Sequence, residues 1–135
     1  MTRRLVFADS EVAAVSVVDG ALQVRFAAAH VRDADAGSFS GWRDGHLAGV
    51  TLVLAGGPWP EVAGDRVGRL ADGRLSTGGG GQVGDAHGDL PLPCTLDGPL
   101  RLALRFANGA QLDVAAQGLR VLVADGAAFS ESFAC

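Results

Sequence analysis

Apolar and polar positions alternate with a period of two along much of this chain. Val15 and Val17 flank Ser16, and Leu22, Val24 and Phe26 flank Gln23 and Arg25. Leu102, Leu104 and Phe106 alternate with Ala103 and Arg105, and Leu112 and Val114 with Gln111 and Asp113. This period belongs to strands that bury one face. Val50, Leu52 and Leu54 alternate with Thr51 and Val53, so the 47–55 segment reads as a strand buried on both faces.

[Asp/Asn]-Gly pairs stand between apolar runs at Asp19-Gly20, Asp72-Gly73, Asn108-Gly109 and Asp125-Gly126. Each predicts a hairpin turn, because glycine accepts a positive φ without a Cβ clash. Strands are expected at 3–8, 11–18, 21–31, 47–55, 66–71, 74–77, 91–96, 99–107, 110–116 and 119–124, with a short one near 127–133. Ala27-Ala28-Ala29 would tolerate a helical turn, but it continues the Leu22, Val24, Phe26 alternation and is read as extended. Gly56-Gly57-Pro58-Trp59-Pro60 ends the 47–55 strand, since proline removes a ladder donor.

Two registers follow. A two-residue loop at Asp19-Gly20 pairs Val17 with Leu22, Val15 with Val24 and Ala13 with Phe26. At Asn108-Gly109 a two-residue loop would set Leu104 against Asp113. A three-residue loop, 107–109, instead pairs Phe106 with Ala110, Leu104 with Leu112 and Leu102 with Val114, with Gly109 in the left-handed position of a G1 bulge. A further turn at Gln117-Gly118 would complete a three-strand meander. Its solvent face would carry Arg101, Arg105, Gln111, Asp113 and Arg120, with Arg101 and Arg120 flanking Ala115.

The fold class this predicts is all-β: an antiparallel β-sandwich or partly open barrel of about eight to eleven short strands joined by hairpins. The 135 residues, 48% of them hydrophobic, suit a single domain that buries its core without a metal or disulfide staple. Two stretches, 33–46 and 76–90, are irregular, and the second holds four consecutive glycines, Gly78 to Gly81, so it is expected to be a mobile loop.

Composition narrows the function classes. The net charge is −4, which argues against non-specific nucleic-acid binding. The chain has no Lys, Ile or Tyr, and this usage fits a GC-rich bacterial genome. No apolar run is long enough to span a membrane as a helix. Asp9, Ser10 and Glu11 break the apolar run that follows the basic Arg3-Arg4, so a cytoplasmic chain without a signal peptide is expected. In that compartment Cys94 and Cys135 read as free thiols, with Cys94 in packing.

The formal glycine fingerprint at Gly79, Gly81 and Gly84 lacks the following helix of a dinucleotide site. Gly37-Ser38-Phe39-Ser40-Gly41 has Phe where a nucleophile elbow needs Ser. Asp85-Ala86-His87-Gly88-Asp89 sets a histidine between carboxylates, and with Asp44 and His46 it sketches a two-His, carboxylate site. The plainer reading is a solvated turn. Trp42, beside Arg43 and Asp44, is either a binding anchor or a plug, whereas Trp59 reads as a plug. No cofactor is expected. The leading expectation is a non-catalytic binding or protein-interaction module, with Trp42, Arg43, Asp44, His46, Asp85, His87 and Asp89 as candidate binding residues. A small-ligand binder at the mouth near Trp42, His46 and His87, and a metal- or His/Asp-dependent enzyme, are the alternatives.

Overall fold

The computed structural model describes residues 2–34, 43–62, 64–77, 90–92, 94–124 and 129–131. Among them are nine strands: β1 (Thr2–Val18), β2 (Ala21–Ala34), β3 (Arg43–Leu47), β4 (Val50–Ala55), β5 (Gly68–Thr77), β6 (Leu90–Leu92), β7 (Cys94–Phe106), β8 (Gln111–Val123) and β9 (Phe129–Glu131). All pairings are antiparallel. The order β1-β5-β7-β8-β4-β2 returns to β1, so six strands close into a barrel. β6 pairs with the start of β1, β3 continues along β2, and β9 pairs with β3. The structure is therefore all-β, and the barrel is closed.

Both registered hairpins are observed. Asp19 and Gly20 have φ of 51° and 79°, as a two-residue loop with two left-handed residues requires, and Val17 faces Leu22 and Val15 faces Val24. At the second hairpin Phe106 N donates to Ala110 O at 2.9 Å, Gly109 N donates to Phe106 O at 3.0 Å, and Gly109 has φ 92°. Leu104 faces Leu112 and Leu102 faces Val114. Asn108 fastens this turn, accepting from Ala110 N at 2.8 Å and donating to Asp65 O at 2.8 Å.

Four expectations are corrected, and each correction turns on a break in the alternation. Asp72-Gly73 is not a hairpin. β5 runs through it, with one extra residue opposite β7 between Leu70 and Asp72. Glycine stands there because β1 crosses: a Cβ on Gly73 would lie 2.5 Å from Phe7 Cβ. Gln117-Gly118 is not a turn either. β8 is continuous, and its buried positions shift from Leu112, Val114 and Ala116 to Leu119 and Val121. At this point Gly98 and Pro99 of β7 stand opposite Gln117 alone, a bulge that tolerates proline's missing donor. Arg120 consequently lies beside Thr95 and Val53, not beside Ala115.

The third correction lies in β1. Val12, not Ala13, faces Phe26, because Ala13 is an extra residue in the ladder. Further back, Val6 faces His30 and Glu11 faces Ala28, so residues 7–10 stand opposite Ala29 alone. Fourth, the expected strand 47–55 is broken at Ala48-Gly49 into β3 and β4, with Gly49 at φ 80° and its carbonyl accepting from Ala124 N at 2.8 Å. The Ala27–Ala29 segment is extended, as expected.

Every barrel strand sends side chains inward. Leu22, Leu52, Leu54, Leu70, Leu75 and Leu102 are fully buried, and Phe106 is nearly so. A six-stranded barrel is narrow enough for such side chains to fill it. Trp59 is the plug the sequence suggests: half-buried against this core, it donates from Nε1 to Gly20 O at 2.9 Å. Val62 also packs on the core, and Arg66 Nε donates to Gln111 O at 3.0 Å, so Trp59 reaches the first hairpin and Arg66 the start of β8.

Urea melts test faces and loops together. Gly109→Ala should cost about 1 kcal/mol or more, because alanine resists positive φ. Leu104→Ala and Leu112→Ala should each cost about 2–5 kcal/mol, whereas Arg105→Ala and Gln111→Ala should stay within about 0.5 kcal/mol. Gly73→Ala should cost about 1–3 kcal/mol by overpacking against Phe7. A reversed ranking of the two pairs would turn the strands over.

Candidate functional site

The sequence-predicted residues that fall in described strands are Arg43, Asp44 and His46, all on β3. This strand lies along the end of β2, with His46 opposite His30, Arg32 opposite Asp44, and Asp33 opposite Arg43. Val31 and Leu47 are buried. The alternate positions, His30, Arg32, Asp44 and His46, therefore form a row on the outer wall. His30 reaches this wall because the inward positions slip from Phe26 to Ala29. Had the Leu22–Phe26 alternation continued unbroken, His30 would point inward.

The row is joined by polar contacts. Arg32 Nε donates to Asp44 Oδ1 at 3.1 Å, and His30 Nε2 lies 3.2 Å from the same oxygen. The other ring nitrogen of His30, Nδ1, lies 3.0 Å from the carbonyl of Ala8. The histidine thus spans two acceptors, one on β1 and one on β3. The His46 ring sits beside it, with centroids 5.7 Å apart. The Asp44 side chain is 45% exposed, so its ion pair with Arg32 is of the weak, solvated kind.

A second polar group lies on the inner side of the wall. Asp33 is fully buried and receives a two-pronged contact from Arg3, Nε to Oδ1 at 2.8 Å and Nη2 to Oδ2 at 3.1 Å. The hydrogen bond to Asp33 holds the Arg3 guanidinium above its ordinary range against the opposing effect of burial. This fork ties the start of β1 to the end of β2. Arg3 also borders a 440 Å³ hollow lined with Leu47, Leu92, Val121, Leu122 and Val123.

Ser10, also fully buried, holds the β1 irregularity. Its hydroxyl donates to Val6 O at 2.6 Å and accepts from His30 N at 2.8 Å. It thereby joins two backbone groups across the stretch where residues 7–10 leave the ladder. Asp9 beside it takes φ 67°, a conformation that Asp tolerates better than most residues, and its carboxylate accepts from Arg69 at 3.2 Å.

The structure thus brings Asp44 and His46 together and adds His30 and Arg32. Ser10, Arg3 and Asp33 were missed in the sequence, where only the interruption of an apolar run at Asp9-Ser10 marked any of them. Trp42, Asp85, His87 and Asp89 lie outside the described residues, as do Cys135, the Asp125-Gly126 turn and the glycines Gly78 to Gly84. Among the described residues, no group of three His, Cys, Asp or Glu side chains is arranged to hold a metal ion. Cys94 is a free thiol packed against the core, and burial pushes it above the usual thiol range. The solvent face expected for β7 and β8 is present: Arg101, Arg105, Gln111, Asp113 and Arg120 are exposed, and Arg101 Nε donates to Asp113 Oδ1 at 2.7 Å.

Comparison with protein-family models, curated proteins and solved structures gives no match for this chain. No described helix is long and apolar enough to cross a membrane.

Two measurements test this geometry. Ser10→Ala removes the only hydroxyl bridging Val6 O and His30 N and should cost about 1–3 kcal/mol, the penalty of two buried polar groups left unpaired; a melt unchanged within error would show that the bulge does not need it. For Cys94 the raised pKa means less thiolate at any given pH. With Cys135→Ser to isolate it, Cys94 should react with iodoacetamide at pH 8 more slowly than free cysteine does. Equal rates would contradict the burial effect.

Proposed function

We propose that this chain is a non-catalytic binding or protein-interaction module whose partner engages the outer wall around β2 and β3. The observation that carries the reading is the filled barrel. With Leu22, Leu52, Leu54, Leu70, Leu75 and Leu102 fully buried inside, recognition falls to the wall and the ends. On that wall Asp44, Arg32, His30 and His46 present charged and hydrogen-bonding groups in one row, held by strand pairing. A rigid row of this kind suits a partner better than it suits chemistry, since its polar atoms are already engaged with one another.

A specific observation favours a second reading, a binder of a small apolar ligand. The 440 Å³ hollow beside Arg3 has an aliphatic lining and falls within the size range of ligand pockets. His46 lies on the outer row, so in this second reading the contact residues on β3 and β8 are Leu47 and Val121 in its place.

Affinity capture with the wild-type chain and with Asp44→Ala/His46→Ala separates the two. The first reading expects a stoichiometric partner retained by the wild type and lost by the variant. Equal capture by both would remove the β2–β3 wall as the interface. Saturable binding of a fluorescent apolar probe, lost in Val121→Arg but kept in the Asp44→Ala/His46→Ala variant, would favour the second reading.

A further inference from the structure

Three polar side chains that make no hydrogen bond or ion pair among the described residues line a groove elsewhere on the barrel. It is a 210 Å³ hollow on the outside of β5, β7 and β8. Its floor includes Ala103, whose methyl group leaves space between its neighbours Arg74 on β5 and Asp113 on β8. Arg74 and Arg105 line it, are exposed, and carry no ion pair or hydrogen bond among the described residues. The side-chain amide of Gln111, directly across from Arg105, is likewise unengaged.

The acidic groups at this groove leave one of the two arginine charges unbalanced. Asp113 is held by Arg101 at 2.7 Å. Asp72 stands opposite Arg105 in the ladder, yet its Oδ1 accepts from Gly73 N at 2.9 Å and makes no ion pair with Arg105. With the Arg101–Asp113 pair internally balanced, Arg74, Arg105 and Asp72 leave one positive charge. A guanidinium fork matches a planar two-oxygen acceptor, and one excess positive charge matches a monoanion better than a dianion.

We propose that this groove binds a carboxylate group, with Arg74 and Arg105 as its charged ligands and Gln111 as a neutral donor. The carboxylate belongs to a small organic acid or to an acidic peptide, which share this chemistry. The proposal rests on the reading of the chain as a binding module, but it uses a different part of the wall. Its failure would leave the β2–β3 face untouched, and failure at that face would leave this groove untouched.

The test uses the full chain labelled at arginine nitrogen, titrated with acetate, with inorganic phosphate and with a short glutamate peptide at constant ionic strength. The Nε–H signals of Arg74 and Arg105 should move saturably with acetate or the peptide, while Arg120, beside Thr95 and Val53 on another part of the surface, stays still. Saturation by acetate assigns the site to the group alone, whereas saturation by the peptide only assigns it to a peptide source. Arg74→Ala and Arg105→Ala should each weaken binding about tenfold, as loss of a charge-assisted hydrogen bond predicts. Asp72→Asn should tighten it, because a repelling charge is removed while the amide oxygen can still accept from Gly73. Shifts that rise linearly and equally at Arg120, affinity unchanged in both arginine variants, or phosphate binding tighter than acetate would overturn the proposal.

Discussion

Six antiparallel strands close into a ring only if each bends and shifts against its neighbours, because a flat ladder has two edges and a ring has none. In this chain the bends are made by residues that step out of the alternation. Ala71 does so in β5, Gly98-Pro99 in β7 and residues 7–10 in β1. The last is the largest, and it exposes backbone groups that need partners. Ser10 supplies them, bridging Val6 O and His30 N from a fully buried position. Beyond this irregularity β1 pairs with the far end of β2 and with β6, and Arg3 there reaches Asp33. The closing strand therefore depends on a hydroxyl at one place and an ion pair at another.

These bends also explain which parts of the fold could be read from the sequence. The hairpins at Asp19-Gly20 and at 107–109 were legible, register included, because a tight turn and the strands next to it are local. Asp72-Gly73 and Gln117-Gly118 were misread for a physical reason. A bulge and a turn both interrupt the period of two, and both favour glycine. What separates them is whether the partner strand continues alongside, and that partner is distant in sequence. Phe7 dictates glycine at position 73, and nothing near Gly73 in the chain reveals it. The all-β class survived these errors because either reading leaves the residues extended.

The candidate site was legible in part for the same reason. Asp44 and His46 stood out as chemistry in an irregular stretch, and two positions apart on a strand they share a face. Their partners His30 and Arg32 could not be found, since that pairing needs both the β2–β3 register and the slip between Phe26 and Ala29. Trp59 was legible as a plug because the flanking prolines exclude it from a strand interior and leave it free to fold over the core. The expected patch of Arg101 with Arg120 failed along with the Gln117-Gly118 turn. A continuous β8 moves Arg120 away, and β5 places Arg74 near Arg105 in its stead.

Burial divides the polar groups of this barrel by task. Asp33, held by Arg3, and Ser10, with its two backbone partners, lie where water is scarce, so an unpaired group there would be costly. Pairing is the condition for their being inside at all, and it leaves them little capacity for a ligand. Arg74, Arg105 and Gln111 lie outside, where water satisfies them and no such condition holds. Stability gives no reason for two arginines without an ion pair among the described residues to flank one groove, whereas a carboxylate does: it would find both guanidinium groups without any described contact being broken. The inner pairs are accounted for by the architecture alone, whereas Arg74 and Arg105, with no ion pair among the described residues, can exchange water for a carboxylate.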